Sequence, residues 1–234
     1  MSGDAGAVAV LLGAGRGDRL GGDEPKSFVE LGGRSLLAHA VALADASQEI
    51  GGFVVTVPPG REGDAERLAA GSPKLLGVVP GGPTRQASVA GALHSLPRGF
   101  HTVVCHDVAR PLAGPDLVSA VVAALDEADG AIPCVPLADT VKRLRERLVV
   151  GTLPRDDLDV AQTPQAFRRQ ALESAHRRAA EEGAEGTDDA ALLERAGFRV
   201  VAVPGDPLNV KVTTPEDLRL AEALLAERAG RAAP

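Results

Sequence analysis

The stretch AVAVLLGAGRGDRLG, residues 7–21, joins a short apolar run directly to a glycine-rich loop. An uninterrupted apolar run of this length is typical of a strand that is buried on both faces of a parallel sheet. In open sheets of this kind ligands bind beyond the carboxyl ends of the strands, and glycines there let backbone N–H groups approach phosphate oxygens. The stretch therefore predicts both a fold class and a phosphate-binding loop.

The rest of the chain extends this pattern. Further β-branched runs lie at residues 53–57, 75–79, 102–106, 131–135 and 199–203. Amphipathic segments alternate with them, at residues 35–47, 61–70, 84–96, 114–128, 168–182, 187–196 and 214–228. The alternation predicts an α/β fold with a mostly parallel sheet covered by helices on both faces. In the last helix, Thr214 is the expected N-cap and Pro215 the first helical residue.

Residues 139–161 break the alternation. They are rich in polar residues, contain one short Val/Leu run and lack a helical pattern. Two interpretations are open: a surface loop or hairpin, or an excursion from the sheet that pairs with another subunit. We expect one domain over residues 1–234, with this segment inserted into it.

Composition and charge exclude several classes of protein. The chain has 25 Lys and Arg against 32 Asp and Glu, a net charge of −7, and it has no Trp or Tyr. Sequence-independent nucleic-acid binding needs Lys and Arg side chains that neutralise phosphates and aromatic side chains on which bases stack. This composition disfavours both. The apolar run at residues 7–12 is too short for a signal core or a membrane span. With two cysteines, Cys105 and Cys134, we expect a cytoplasmic protein that binds neither nucleic acid nor membrane.

The loop after the first strand fits neither of two common nucleotide-binding patterns. A dinucleotide fingerprint needs glycine where Asp18 stands, and a Walker loop ends in Gly-Lys-Ser/Thr, which is absent from this segment. The same loop does carry two cations, Arg19 and Lys26, with Pro25 stiffening the approach to Lys26. This arrangement favours a clamp for a triphosphate.

Two further segments follow predicted strands. Residues 81–88 open a helix with Gly82, Arg85 and Ser88, and a helix N-terminus favours anions. Residues 106–111 place Asp107 and Arg110 at a strand end, where an acid and an arginine suit a hydroxyl and a phosphate. A local Asp–Arg pair is the alternative. His106 is a possible base, although a lone histidine at a strand end is more often structural.

Later polar positions are weak signals one by one. They are Thr140 with Lys142, Arg155, residues 162–165, Thr187 with its following acids, and residues 209–211. Thr187 fits a simple helix N-cap. Lys211 follows a strand and precedes the capped last helix.

Taken together, these motifs resemble the 2-C-methyl-D-erythritol 4-phosphate cytidylyltransferase family, from Val8 to about Leu225. The segments that carry the resemblance are residues 15–26, 106–111, 139–142, 162–167 and 209–213. Five motifs in the right order are far less expected by chance than any one of them. The resemblance implies a Rossmann-like nucleotidyltransferase fold, a homodimer joined by an extended arm at about residues 139–161, and transfer of CMP from CTP to methylerythritol phosphate.

The resemblance also implies a role for each matching position. The residues implied in catalysis are Arg19, Lys26, Arg155 and Lys211. The residues implied in substrate binding are Ala14, Gly15, Gly17, Gly82, Arg85, Ser88, Asp107, Arg110, Thr140 and Thr187. Arg19 and Lys26 would stabilise charge at the α-phosphate, and Lys211 would help to position the polyol phosphate. Thr140 and Arg155 are expected to reach across from the partner subunit.

The chemistry of this reaction needs no strong general base, because a phosphate is already a nucleophile at neutral pH. Positioning and cationic stabilisation should carry the catalysis, with Mg²⁺ neutralising the triphosphate. We expect Mg²⁺ to bind mainly through CTP phosphates and waters, without a dedicated protein metal site. Ribitol-5-phosphate cytidylyltransferase is the alternative enzyme, and a non-catalytic nucleotide-binding protein is the alternative of another class. The failed dinucleotide fingerprint disfavours an oxidoreductase.

Overall fold

The computed structural model describes residues 6–15, 17–21 and 24–232. The strands are β1 (Ala7–Leu12), β2 (Glu30–Leu31), β3 (Arg34–Ser35), β4 (Ile50–Val57), β5 (Leu75–Pro80), β6 (Thr102–Asp107), β7 (Gly130–Pro136), β8 (Val141–Arg145), β9 (Leu148–Leu153), β10 (Asp159–Ala161), β11 (Gln165–Arg168) and β12 (Val200–Pro204). The helices are α1 (Leu36–Ala46), α2 (Glu62–Ala69), α3 (Arg85–Ser95), α4 (Pro115–Ala123), α5 (Arg169–Glu182), α6 (Asp189–Arg195) and α7 (Pro215–Ala232).

The central sheet of the described residues has eight strands, in the order β10-β7-β11-β6-β1-β4-β5, with β12 also paired to β7. The pairs β1–β4, β1–β6, β4–β5 and β7–β12 are parallel. The short strand β11 runs antiparallel to both β6 and β7. The prediction of a mostly parallel sheet is therefore confirmed, while the antiparallel insertion was not predicted.

Alternate residues of β1 pack on opposite faces of the sheet, because successive side chains of a strand point in opposite directions. Ala9 and Leu11 belong to a core that includes buried residues of α1 and α4. Val8 and Val10 belong to a second core that includes buried residues of α3 and α5. The predicted covering of the sheet by helices on both faces is confirmed.

Helix α7 begins with the predicted cap. The backbone N–H of Asp217 donates to Thr214 Oγ1 at 3.3 Å, and Asp217 Oδ2 accepts from the backbone N–H of Thr214 at 2.8 Å. This reciprocal pair is a capping box. It fixes the start of α7 just after the segment that carries Lys211. None of the helices in the described ranges combines the length and apolar character that crossing a membrane requires.

The segment that broke the sequence pattern forms a hairpin and then returns to the sheet. β8 and β9 pair with each other antiparallel, and the turn between them holds Glu146 at a φ of 55°. Leu144, Leu148 and Val149 are exposed on this hairpin. The last part of the segment is β10, which pairs antiparallel with β7. Residues 141–153 thus leave the sheet as an arm, and residues 159–161 rejoin it.

Candidate active site

A pocket of about 800 Å³ opens at the carboxyl ends of β1, β4, β5 and β6. Its walls come from the loops that follow these strands and from the segment before α7. The lining residues include Ala14, Gly15, Gly17, Arg19, Lys26, Gly82, Arg85, Ser88, Asp107 and Lys211, all of which the sequence singled out. The position agrees with the rule that ligands bind beyond the carboxyl ends of parallel strands.

The loop after β1 brings Gly17 against Lys26. Gly17 has a φ of 79°, and a Cβ at this position would lie 3.1 Å from Lys26 Cβ. Only glycine combines this left-handed conformation with so close an approach. Arg16, the residue before it in the motif, lies outside the described residues.

The surroundings of Lys26 make its protonated, charged form less stable than it would be in water. Burial is the main cause that lowers the pKa of Lys26 to about 8; repulsion from Lys211 and Arg19 adds to it, and attraction to Asp107 opposes it. Cations that repel one another across a pocket are stabilised when a polyanion binds between them. The site is therefore charged for a ligand such as a triphosphate.

Small residues form another part of the pocket wall. A Cβ on Gly81 would lie 2.1 Å from Ala14 Cβ, so glycine is required for the two loops to meet. The backbone N–H of Gly82 donates to Ser88 Oγ at 3.0 Å, and that hydroxyl donates to the Thr84 carbonyl at 3.0 Å. Thr84 caps α3 by accepting from the Ala87 N–H at 3.0 Å. The predicted helix start at residue 84 is confirmed within one residue, and its first turn faces the pocket.

Asp107 sits between two cations at the end of β6. Its Oδ1 accepts from Arg85 Nε at 3.1 Å, and its Oδ2 accepts from Lys211 Nζ at 2.5 Å. Burial would raise the pKa of Asp107, but Arg85 and Lys211 outweigh it and hold the pKa well below its usual range. The carboxylate is thus ionised throughout the physiological range.

Arg85 links the pocket to a buried acid behind it. Its Nη1 donates to Asp189 Oδ2 at 2.6 Å, and Asp189 Oδ1 lies 2.9 Å from His176 Nε2. Asp189 is 1% exposed. Desolvation would raise the pKa of Asp189, and the paired Arg85 and His176 lower it.

Four of the predicted positions do not line this pocket. Arg110 is buried and donates to the carbonyls of Asn209 at 2.7 Å and Ala161 at 3.3 Å. Thr140, Arg155 and Thr187 are exposed, and Arg155 donates to the Ala138 carbonyl at the base of the arm. The possible local pair of the Arg110 and Asp107 side chains is not formed, because the Asp107 carboxylate accepts from Arg85 and Lys211. The two residues are joined through the backbone instead, where the Arg110 N–H donates to the Asp107 carbonyl at 2.9 Å.

His106 has a structural environment rather than that of a base. It is 1% exposed, and its Nδ1 lies 3.2 Å from Thr163 Oγ1. Burial lowers the pKa of His106 to about 4. Cys105 is buried in the same strand, and burial raises the pKa of its thiol well above the usual range, whereas Cys134 is only half-buried. Both cysteines are free.

Sequence reasoning missed several residues of the site. Pro58 and Pro59 line the pocket after β4, and Asp18 lines it from the loop after β1. Asp189 was noticed only as one of two acids after Thr187. The signal that could have separated it from Asp188 is helical position: Asp188 is the N-cap of α6, whereas Asp189 begins the helix and faces inward.

Carboxylates at the pocket are few. Asp18 and Asp107 are the acids that line it among the described residues. The described residues contain no cluster of three or more His, Cys, Asp or Glu side chains placed to hold a metal ion. A divalent cation that arrives with a phosphorylated substrate fits such a site, because Mg²⁺ commonly binds through one or two carboxylates plus substrate phosphates.

Comparisons with known proteins agree with this geometry. The family model described as 2-C-methyl-D-erythritol 4-phosphate cytidylyltransferase matches residues 7–227. The protein of that name from Pelotomaculum thermopropionicum is 42% identical over 232 residues, which cover 97% of each chain. Its counterpart from Streptomyces coelicolor is 44% identical over 94% of this chain and 85% of its own.

Solved structures give the same result. The 2-C-methyl-D-erythritol 4-phosphate cytidylyltransferase of Thermus thermophilus superposes with a TM-score of 0.76 at 36% identity, covering 93% of this chain and 98% of that one. The 4-diphosphocytidyl-2C-methyl-D-erythritol synthase of Anaerococcus prevotii superposes with a TM-score of 0.84 at 27% identity, covering 94% and 98%. The chain therefore belongs to the 2-C-methyl-D-erythritol 4-phosphate cytidylyltransferase family of nucleotidyltransferases.

Proposed function

We propose that this pocket binds CTP and 2-C-methyl-D-erythritol 4-phosphate, transfers CMP to the acceptor phosphate and releases pyrophosphate. The observation that carries the proposal is the placement of Arg19, Lys26 and Lys211 around one pocket that small residues such as Ala14, Gly15 and Gly82 also line. A cationic side suits phosphates, and a small-residue wall suits a flat pyrimidine held by backbone hydrogen bonds.

The reaction joins two anions, so its main barrier is electrostatic. An oxygen of the acceptor phosphate attacks the α-phosphorus of CTP, and the bond from that phosphorus to the β-phosphate oxygen breaks. Arg19 and Lys26 are placed to neutralise the charge that develops on the α-phosphate and on the leaving pyrophosphate. Because the acceptor is already ionised, no residue has to remove a proton from it.

The CTP half of the site follows from the two glycine loops. Ala14, Gly15 and Gly17 contribute the first loop, and Gly82 and Ser88 contribute the second. Their short side chains let the backbone reach the base and ribose. We assign cytosine and ribose to this wall because the gap between the loops excludes larger side chains, as the approach of Gly81 to Ala14 indicates.

The acceptor half lies toward Asp107 and Lys211. Lys211 is a point charge suited to the acceptor phosphate, and Asp107 is an acceptor suited to hydroxyls. Thr187 and Arg110 lie near this side, outside the pocket wall of a single chain. We assign all four to the binding of the polyol phosphate.

The arm completes the acceptor half in a homodimer. The exposed apolar residues Leu144, Leu148 and Val149 give the arm a surface that a second copy of the chain can cover. Thr140 and Arg155 lie at the base of this arm and not in the pocket of their own chain. We infer that they enter the pocket of the partner subunit, and that residues 1–234 otherwise make one domain of a cytoplasmic enzyme.

Mg²⁺ fits the site as an ion that binds together with CTP, mainly through its phosphates. When bound it neutralises part of the triphosphate charge. Asp18 and Asp107 are the pocket carboxylates that could reach it, and Arg19 and Lys26 carry the rest of the charge compensation from the protein.

Pyrophosphate release from CTP and Mg²⁺ tests the proposal, with methylerythritol 4-phosphate and ribitol 5-phosphate supplied in parallel reactions. We expect release with the first acceptor, and Lys26→Ala serves as the inactive control. Release with ribitol phosphate alone would keep the chemistry but overturn the acceptor. CTP binding without release from either acceptor would favour a non-catalytic nucleotide-binding protein.

A further inference from the structure

A row of alternating charges runs from the pocket into the core. It begins with Lys211, continues through Asp107 and Arg85, and ends at Asp189 with His176 behind it. The side chains of Asp107 and Asp189 are 10% and 1% exposed, so both carboxylates are almost fully removed from water. A buried carboxylate is costly unless it is paired, and here each one has a cationic partner.

Arg85 is the centre of this row. It gives Nε to Asp107 and Nη1 to Asp189, so its planar guanidinium bridges the two carboxylates in one orientation. Its Nη2 is buried and has no hydrogen-bond partner among the described residues. The formal charges of Lys211, Asp107, Arg85 and Asp189 sum to zero. The Asp107 carboxylate is therefore held in one orientation at the pocket, and the charge of Arg85 is already balanced by its two acidic partners.

The neighbouring residue ties the same two segments together. Gln86 donates from Nε2 to the Ala184 carbonyl at 3.1 Å, and its Oε1 accepts from the Gly186 N–H at 3.1 Å. Arg85 and Gln86 together hold the start of α3 against residues 184–189. Thr187, which we place at the acceptor, lies inside this segment.

We propose that Asp189 is a positioning residue for the acceptor half of the site: through Arg85 it holds the Asp107 carboxylate in the orientation that Lys211 bonds. This inference rests on the proposed function. Without the charge on Asp189, Arg85 is no longer held between two acids. Its guanidinium is then free to turn toward a phosphate in the pocket, and Asp107 and Thr187 lose a common support.

The adjacent acid supplies a matched control. Asp188 accepts from the Ala191 N–H at 2.9 Å and from Gln165 Nε2 at 2.8 Å, and it contacts neither Arg85 nor His176 by hydrogen bond. Asp188→Asn and Asp189→Asn make the same chemical change one residue apart. Only Asp189→Asn removes charge from the row that reaches the pocket.

Steady-state kinetics of pyrophosphate release, with each substrate varied in turn, test the inference. We expect Asp189→Asn to raise the KM for the acceptor about tenfold. This is the change in affinity that the loss of about one hydrogen bond produces. The KM for CTP should stay within about twofold, and Asp188→Asn should match the wild type in both. A variant that is only less stable would contain less folded enzyme, and its KM values would not change. A rise in the KM for the acceptor alone therefore distinguishes positioning from stability.

Thermal unfolding shows whether Asp189→Asn is folded. If it does not fold, His176→Leu removes the other partner of Asp189 and should raise the acceptor KM in the same direction, by a smaller factor. If the wild type is active and the folded variant has an unchanged KM for the acceptor, this inference alone is overturned. A wild type inactive with every acceptor would overturn the proposed function and this inference with it.

Discussion

The guanidinium carbon of Arg61 lies 4.1 Å from the centre of the Phe28 ring, and its Nη2 donates to Glu24 at 2.6 Å. Lys26 lies between these two contacts along the chain. Arg61, just before α2, therefore holds both flanks of the lysine that we place at the α-phosphate. The same arginine also pairs with Asp64, whose second oxygen pairs with Arg67.

Arg61→Ala should lower kcat severalfold by loosening the segment that carries Lys26. Removing a cation–π contact and two partly exposed ion pairs, with Glu24 and Asp64, should cost about 1 kcal/mol of unfolding free energy. Denaturant unfolding and steady-state kinetics measure the two effects. Arg67→Ala, which removes a positive charge from α2, should leave kcat unchanged. Equal kinetics for both variants would show that Arg61 does not hold the loop.

Lys26→Met should lower kcat by at least about 10²-fold, as the loss of a transition-state charge contact does. The same change should stabilise the fold below about pH 8, since burial disfavours the charged lysine in the native state. The advantage should shrink between pH 8 and the unfolded pKa of 10.5, because the native state then sheds its proton first. Unfolding midpoints at several pH values measure this, and a destabilised variant at pH 7 contradicts it.

The rate should depend on pH through Lys26. Because its pKa is about 8 in the free protein, kcat/KM for CTP should fall as the pH rises through that value. Lys26→Arg, if active, should lack this fall, since a guanidinium stays protonated there. The measurement is a pH profile of kcat/KM from about pH 6.5 to about 9.5. A flat wild-type profile across pH 8 would argue that Lys26 makes no charge contact with CTP.

Arg155→Ala should raise the KM for the acceptor while leaving that for CTP unchanged. If Arg155 acts on the partner's pocket, mixing Lys26→Ala with Arg155→Ala should restore activity, because a mixed dimer has one pocket with both residues intact. Random exchange of subunits predicts about one quarter of the wild-type rate. Pyrophosphate release after subunit exchange measures it. No recovery in a verified mixed dimer would place Arg155 in its own chain's site.

Leu148→Glu should weaken the dimer proposed above, because a charge on the exposed apolar arm would have to be buried in the proposed interface. Light scattering on a concentration series should show more monomer than in the wild type. Glu146→Lys, in the turn of the same hairpin, is the control for a surface charge change. A dimer of unaltered strength in Leu148→Glu would remove the arm tip from the interface.

Much of the fold was predictable because the signal was local. The run at residues 7–12 is observed as β1 without any change of boundary. The Thr214 cap and the start of α3 also follow from side-chain to backbone hydrogen bonds within one turn, which sequence spacing records directly. The cationic loop was found for the same reason, since Arg19 and Lys26 are close in sequence.

Features that depend on distant pairing were not predictable. β11 has only four residues, and its place between β6 and β7 is decided by tertiary contacts and not by its own pattern. Asp107 and Arg85 are 22 residues apart, and Arg85 and Asp189 are 104 apart. No periodicity in a single sequence connects such positions.

The arm begins after β7 and ends in β10, which pairs with the same strand. The two ends of the inserted segment are thus anchored at one place on the scaffold. Residues 141–153 can be lengthened, shortened or rewritten without moving the loops that carry Arg19 and Lys26. In the proposed dimer, substitutions in residues 141–153 could therefore change subunit pairing, while the loops that carry Arg19 and Lys26 stay fixed by the sheet.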